Sequence, residues 1–337
     1  MIASAPADIL RFILSRTDER LNTVLVTLTG IEGVSSRAIG AQMAIAEDGQ
    51  YVGSFSGGCV EAAVVAEALG TLASGNAKLV RFGAGSPYLD IRLPCGGGID
   101  LLFNPRPDPQ AIADIVALLD ARKMATLRLS RTGVTMADAA APQPGWQDDN
   151  FDISYLPRLR IVAIGQGEDL TGLARLAHGF GADVAALTPD RRALAELTAR
   201  GIDTIELLTR TTLPPVHTDA WTAIVFLFHD RDWEEGLLPQ AVHLPGFYFG
   251  AVGSRRTHAT RLERLRIAGI PEHLLDTLRG PIGLIPATRD PATLALSILS
   301  EIVQDYNRIA SSGHQPAAEQ DDTSRRSLAP ALRPDAR

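Results

Sequence analysis

Residues 158–190 read RLRIVAIGQGEDLTGLARLAHGFGADVAALTPD. Within the block LRIVAIG the apolar run IVAI ends in glycine, the pattern of a strand buried on both faces. Gly165-Gln166-Gly167 turns the chain into a predicted helix over 168–180, and DVAALT is a second strand. Strand, glycine turn, helix and strand form a βαβ unit, which makes its strands parallel. Downstream, 191–200 reads as a helix and 221–228 and 247–252 as further strands, so the winding continues. Asp290-Pro291 caps a last long helix, with proline in the favoured first position, running to about residue 310. From 311 the chain is polar and proline-containing, and that tail is expected to be disordered.

Upstream the pattern is mixed. Residues 8–15 suit a short amphipathic helix, and TVLVTLT at 23–29 is a β-branched, buried strand. Asp48-Gly49, between MAIAE and QYVGS, is a hairpin signal. Residues 60–73 have helical composition, 78–82, 89–93 and 99–103 read as strands, and 111–120 as a helix. Residues 131–156 break the pattern, since APQPGWQDDN is rich in turn formers and polar groups, and a domain boundary is expected near Pro157. The predicted fold class is α/β: an N-terminal mixed α/β domain over 1–157, a Rossmann-like doubly wound parallel-sheet domain over 158–310, and a tail over 311–337.

Length and composition are consistent with this division. A chain of 337 residues is too long for one ordinary core. With 45% hydrophobic and 21% charged residues it has the make-up of a folded globular protein. A formal charge of −7 argues against generic nucleic-acid or anionic-membrane binding. The start MIASAPADILRFILSR lacks a basic segment followed by a long apolar run, so a cytoplasmic protein without signal peptide is expected. Two cysteines, Cys59 and Cys95, disfavour a disulfide scaffold and leave free thiols, a ligand pair or a redox pair.

Four segments could carry chemistry. Ser56-Gly57-Gly58-Cys59 precedes a predicted helix, whose amides and macrodipole favour a thiolate, while glycines admit a bulky group. Glu61, just inside that helix, reads as an ordinary partner of the dipole. Cys95-Gly96-Gly97-Gly98 lies between strand-like runs, where successive glycines mark a bulge, a tight turn or the approach of a ligand. Thiolates at Cys59 and Cys95 suit a soft metal but cannot complete a four-ligand zinc site.

Gly165-Gln166-Gly167 resembles a dinucleotide loop, but the third glycine of the fingerprint falls on Leu170. Glu168 and Asp169 would repel a pyrophosphate, and Thr188 stands where an acidic ribose contact is expected, with Asp190 two residues on. NAD(P) is therefore not expected to bind tightly. Gly253-Ser254-Arg255-Arg256 ends a strand and opens a helix, an anion site by composition, or a simple helix cap with solvated arginines. His229 ends strand WTAIVFLF on the same rim. Ser297 and Glu301 read as a polar spot in helix packing.

Taken together, IEGVSSRAIGAQM, GSFSGGCVEAAV, LPCGGGIDLLFNP, FYFGAVGSRR and PATLALSILSEI resemble the xanthine dehydrogenase accessory protein family (XdhC/CoxI type), over about residues 20–306. The resemblance implies a molybdenum cofactor (molybdopterin) chaperone rather than an enzyme. Such a protein binds and protects the cofactor, supports its sulfuration with a cysteine desulfurase and inserts it into a molybdenum hydroxylase such as xanthine dehydrogenase; a homodimer is left open. Combined with the four segments above, it places expected cofactor contacts at Ser56, Gly57, Gly58, Cys59, Cys95, Gly96, Gly97, Gly165, Gly167, His229, Gly253, Ser254, Arg255 and Arg256, with Cys59 and Cys95 as molybdenum-proximal thiols. Two alternatives stay open: an NAD(P)-dependent oxidoreductase using the Rossmann-like domain, and a thiol redox or metal-sensing protein.

Overall fold

A computed structural model describes residues 6–58, 60–86, 96–288 and 290–312. Cys59, Cys95, the strand expected at 89–93 and nearly all of the expected tail lie outside the described residues.

Helix α1 (Pro6–Asp18) leads into strands β1 (Thr23–Glu32), β2 (Gln42–Ala46) and β3 (Tyr51–Gly53). Helix α2 (Glu61–Ser74), strands β4 (Lys78–Gly83) and β5 (Gly98–Pro105) and helix α3 (Pro109–Asp120) follow. The five strands form a sheet in the order β3-β2-β1-β5-β4, every pair antiparallel. Alternation along β1 divides its two faces: Val24, Val26 and Leu28 pack with Phe55, Val60 and Val64 beside α2, whereas Leu25 faces α1 and α3. The Asp48-Gly49 hairpin forms as expected, with Gly49 at φ +83° and Ile45 opposite Tyr51.

Residues 131–156 are not the irregular segment that their composition suggests. Strands β6 (Ala125–Ser130), β7 (Gly133–Ala137), β8 (Gly145–Gln147) and β9 (Asn150–Tyr155) make an antiparallel sheet in the order β7-β6-β9-β8. The turn formers occupy the hairpin ends, and Asp148 takes φ +54° between β8 and β9. The period-2 pattern Phe151, Ile153, Tyr155 puts one face of β9 into the core that α1 and α3 share. The phenol of Tyr155 reaches Gln42 Oε1 at 2.5 Å, and Gln42 Nε2 donates to Thr27 Oγ1 at 3.0 Å, joining the two sheets through a buried polar chain.

Between Tyr155 and Arg160 the chain passes to a parallel sheet. Its elements are β10 (Arg160–Gly165), α4 (Gly167–Phe180), β11 (Asp183–Thr188), α5 (Arg191–Thr198), β12 (Asp203–Glu206), β13 (Thr222–Leu227), α6 (Arg231–Ala241), β14 (Tyr248–Ala251), α7 (Arg255–Ile267), α8 (Glu272–Leu275), β15 (Leu278–Arg279) and α9 (Pro291–Ser312). The strand order is β12-β11-β10-β13-β14-β15, all parallel. This is the Rossmann-like doubly wound arrangement expected from the sequence. The order reverses between β10 and β13, and open sheets of this kind bind ligands beyond the carboxyl ends of strands at such a point. Leu170, Leu173 and Ala177 of α4 pack with Ala295, Ile298 and Ile302 of α9 on one face, so the last helix completes this core.

Arg122, at the turn between α3 and β6, reaches across to the parallel-sheet half. Its Nε and Nη2 hold Asp219 at 2.6 and 3.0 Å, and Nη1 donates to the carbonyl of Arg158. Tyr306 of α9 donates to the carbonyl of Pro157. Burial pushes the Asp219 carboxyl up, but the Arg122 guanidinium outweighs it, and the pKa stays below the usual range. No helix among the described residues is long and apolar enough to cross a membrane.

Candidate functional site

The first glycine segment is organised by a residue that the sequence reading underrated. Val60 is the N-cap of α2 and makes no side-chain cap hydrogen bond. Instead Glu61, 4% exposed, turns its carboxylate back into the preceding loop. Oε1 accepts from Ser54 Oγ (2.8 Å), Phe55 N (2.9 Å), Ser56 N (2.8 Å) and Gly57 N (3.2 Å). Oε2 accepts from Ser56 Oγ (2.8 Å), Gly58 N (2.7 Å) and Val60 N (3.3 Å). Burial pushes this carboxyl up, yet the Ser56 amide and the Ser54 and Ser56 hydroxyls outweigh it, lowering the pKa from 4.5 to about 2.

This arrangement corrects the reading of Glu61 as an ordinary partner of the helix dipole. The amides of Phe55, Ser56, Gly57, Gly58 and Val60 already converge on its carboxylate. The loop therefore presents the open faces of its glycines. Gly57 and Gly58 have φ +77° and +129°, and a Cβ on either would meet nothing within 4 Å. They are glycines because of their backbone conformation, which L residues avoid, and not because of crowding.

Residues 32–37 connect this loop to the second glycine segment. Ser36 Oγ donates to the carbonyl of Phe55 at 2.7 Å, and Arg37 Nε to that of Ser54 at 3.1 Å. Gly97 is buried, and a Cβ there would lie 2.6 Å from the Glu32 carbonyl oxygen and 2.8 Å from that of Val34. Its neighbour Gly96 is exposed at φ +69° with open space around it. Ser56, Gly57 and Gly58 thus share one end of the antiparallel sheet with Gly96 and Gly97. Cys59 and Cys95, each next in sequence to one of these segments, are outside the described residues.

The remaining predicted residues gather on the carboxyl rim of the parallel sheet. Gly165 ends β10 so close to β13 that a Cβ would lie 2.7 Å from the backbone of Leu227. Gly167 opens α4 at φ +72°. Asp169 in the first turn of α4 meets His229 Nε2 at 2.8 Å, tying the loops after β10 and β13 together. Ser254 caps α7, accepting from Thr257 N at 3.1 Å, and Gly253 before it has φ +133°. Arg255 and Arg256 are exposed and have no carboxylate partner among the described residues. Asp190 caps α5 through Arg192 N and Ala193 N, so it is occupied where a ribose contact would be sought. Ser297 and Glu301 do more than fill a packing spot: Ser297 Oγ accepts from Ile285 N at 2.7 Å and Glu301 from Gly283 N, so α9 pins the 283–285 loop.

Sequence reading also missed Arg261. It lies within a strongly charged helix, RRTHATRLERLRI, yet is 5% exposed. Its Nη2 donates to the Val252 carbonyl at 2.7 Å, supporting the strand end that carries Gly253. Nothing in the one-dimensional pattern distinguishes it from the solvated arginines around it. None of the hydrogen bonds or ion pairs among the described residues joins the 54–61 and 96–97 group to the Gly165–His229–Arg256 rim, and no group of three or more His, Cys, Asp or Glu there could hold a metal ion.

Residues 161–302 match the XdhC Rossmann domain family, and residues 17–83 match the XdhC and CoxI family. The molybdenum cofactor insertion chaperone PaoD of Escherichia coli (strain K12) is 35% identical over 295 residues, 87% of this chain and 86% of that protein. The uncharacterized protein YqeB of the same organism is 24% identical over 277 residues, and the match spans 79% of this chain but only 40% of YqeB. A crystal structure from Bacillus halodurans, described as a xanthine dehydrogenase, superposes with a TM-score of 0.71 at 22% identity, covering 90% of this chain and 96% of that one. At that identity the likeness speaks for the fold. The antiparallel sheet with its glycine loops, the parallel sheet that follows it and the relationship to PaoD lead to one assignment: the chain belongs to the XdhC and CoxI family.

Proposed function

We propose that this protein is a molybdenum cofactor insertion chaperone that binds and shields the cofactor, supports its sulfuration and hands it to a molybdenum hydroxylase client. The observation that carries this reading is the 35% identity to a molybdenum cofactor insertion chaperone along 86% of that protein's length.

The chemistry of the available groups is compatible with such a guest, which has a soft metal–dithiolene end and an anionic phosphate end. Gly57, Gly58 and Gly96 leave open backbone beside the positions of Cys59 and Cys95, the thiols that suit the soft end. Arg255 and Arg256, unpaired at the start of α7, suit the phosphate. When delivered, the cofactor supplies the client with a redox-active molybdenum centre. The part of this chain is to bind it, orient it and limit water's access. A nicotinamide role has less support, since Glu168 and Asp169 occupy the first turn of α4 where a pyrophosphate would sit.

The test is mass spectrometry of the native protein, purified anaerobically from molybdenum-replete cells. A bound pterin is expected, with lower occupancy or failed client activation in the Cys59→Ala/Cys95→Ala variant. A cofactor-free protein that also fails to take up released cofactor overturns the proposal. Unchanged loading and full client activation in the double variant removes the thiols from it.

A further inference from the structure

Helices α6 and α7 enclose a cleft of about 450 Å³ that the proposed function does not use. Its floor changes character along its length, because residues four apart share a helix face. Glu234 and Leu238 follow one another on α6, Arg261 and Leu265 on α7, and all four line the cleft. One end is therefore a buried ion pair and the other is apolar, extended by Pro239, Ile267 and Ala268. Arg231, Thr257, Thr260 and the Arg264–Glu235 pair line the cleft as well.

The ion pair is incomplete. Arg261 donates from Nε to Glu234 Oε2 at 3.2 Å and from Nη2 to Oε1 at 2.7 Å, and Nη2 also holds the Val252 carbonyl. Its Nη1 is buried without a hydrogen-bond partner. An arginine is always charged and brings five N–H donors, and buried donors are nearly always satisfied. Glu234 balances the charge of Arg261 and Glu235 that of Arg264, which leaves Arg231 in excess, with no carboxylate partner among the described residues. The Arg264–Glu235 pair is exposed and therefore exchangeable for an incoming anion. A spare positive charge and an unfilled guanidinium edge beside an apolar floor match a compact anionic head on an apolar body.

We propose that the α6–α7 cleft is a binding site for a small organic oxyanion, a carboxylate or phosphate ester joined to an apolar group. The oxyanion takes Arg261 Nη1 and Arg231, and the apolar body lies on Leu238 and Leu265. Because the same guanidinium holds Val252, occupancy is felt at Gly253.

The test titrates the full-length protein, methyl-labelled at leucine and isoleucine, with benzoate, phenyl phosphate, benzyl alcohol and inorganic phosphate, followed by NMR. Saturable shifts at Leu238, Leu265 and Ile267 with benzoate or phenyl phosphate are expected, and the tighter of the two identifies the carboxylate or the phosphate ester. The exposed Arg231→Gln variant, which leaves the core intact, should weaken that binding about tenfold, the equivalent of one charged contact. Arg261→Met should abolish it, and its folding is checked by the same methyl spectrum. The proposal is overturned if neither anion gives saturable shifts in the cleft at millimolar concentration. It is equally overturned if benzyl alcohol or inorganic phosphate binds as well as the aromatic anions, or if Arg231→Gln changes nothing.

Discussion

Replacing Glu61 by glutamine changes one atom and removes one charge, and the consequences follow from the seven contacts around the carboxylate. Glutamine keeps one oxygen and sets an amide nitrogen where the other was. If the oxygen stays with Ser54, Phe55, Ser56 and Gly57, the new NH₂ confronts the amides of Gly58 and Val60, donor against donor. Hydrogen bonds to a charged acceptor are worth about 1.5–3 kcal/mol each, and a buried donor left unmet costs about 1–3 kcal/mol. Gly58 is exposed and regains water, and the Ser56 hydroxyl can rotate to accept from the new NH₂, so the net loss is about 3 kcal/mol rather than the sum.

That loss corresponds to roughly a 100-fold larger population of the opened loop. Amide hydrogen exchange at pH 7 reads it directly. Peptides covering residues 54–60 should exchange about 100-fold faster in Glu61→Gln, while those from β10 and β13 stay as they are. Acid provides an internal check. The carboxyl's pKa is near 2 in the fold and 4.5 as a free side chain. Its stabilisation is therefore complete above pH 4.5 and disappears as pH falls towards 2. By linkage the shift is worth up to about 3 kcal/mol, and less where water reaches the loop. The difference between parent and variant should shrink across that pH window. Exchange in the variant within threefold of the parent at neutral pH would falsify the view that Glu61 holds the loop.

Asp219→Asn removes the anion that Arg122 grips from the other half of the molecule, and should cost about 2–4 kcal/mol in urea unfolding because it leaves a half-buried guanidinium poorly matched; unchanged stability refutes the clasp. Tyr155→Phe strands Gln42 Oε1 between the two antiparallel sheets and should cost about 1–2 kcal/mol, measured by thermal unfolding, with Gln42→Leu/Tyr155→Phe recovering part of it. Gly97→Ala should destabilise more than Gly57→Ala, since the first adds a clash with two carbonyl oxygens and the second only backbone strain of about 1 kcal/mol; the reverse order contradicts the assignment of crowding to Gly97. Arg255→Gln/Arg256→Gln should reduce both cofactor affinity and its salt dependence, because exposed arginines act over a Debye length of about 8 Å at physiological ionic strength; a variant with the parent's salt slope removes them from the anion site.

The parallel sheet was legible because both of its signals are local. LRIVAIG and DVAALT each hold a run of four apolar residues, IVAI and VAAL, and Gly165 and Gly167 mark the turn between strand and helix. The β6–β9 sheet was not, because its strands are short, one-sided and bounded by the residues that composition counts as linker. Only the alternation of Phe151, Ile153 and Tyr155 betrays it, over six residues. Glu61 was misread for a different reason. An acid at a helix start satisfies the macrodipole wherever it points, so the sequence does not say whether its carboxylate faces water or folds back. The signal available was the company it keeps: two serines and two glycines in the seven residues before it supply both the donors and the freedom to curl around it.

The loops that enter α2 and α7 solve the same electrostatic problem in opposite ways. A loop running into a helix start concentrates amide dipoles that must meet negative charge, from the protein or from a guest. At α2 the protein supplies the charge itself through Glu61, which the amides of Ser56, Gly57 and Gly58 already meet. At α7 the cap is a neutral serine and the charges that follow, Arg255 and Arg256, are positive, so this helix start keeps an attraction for an anion. For the proposed guest, with a soft end and a charged end, that difference would supply orientation without any contact that reads its whole length. On the proposed function its charged end would favour the rim that carries Arg255 and Arg256, and its other end the surface where glycine keeps the backbone open.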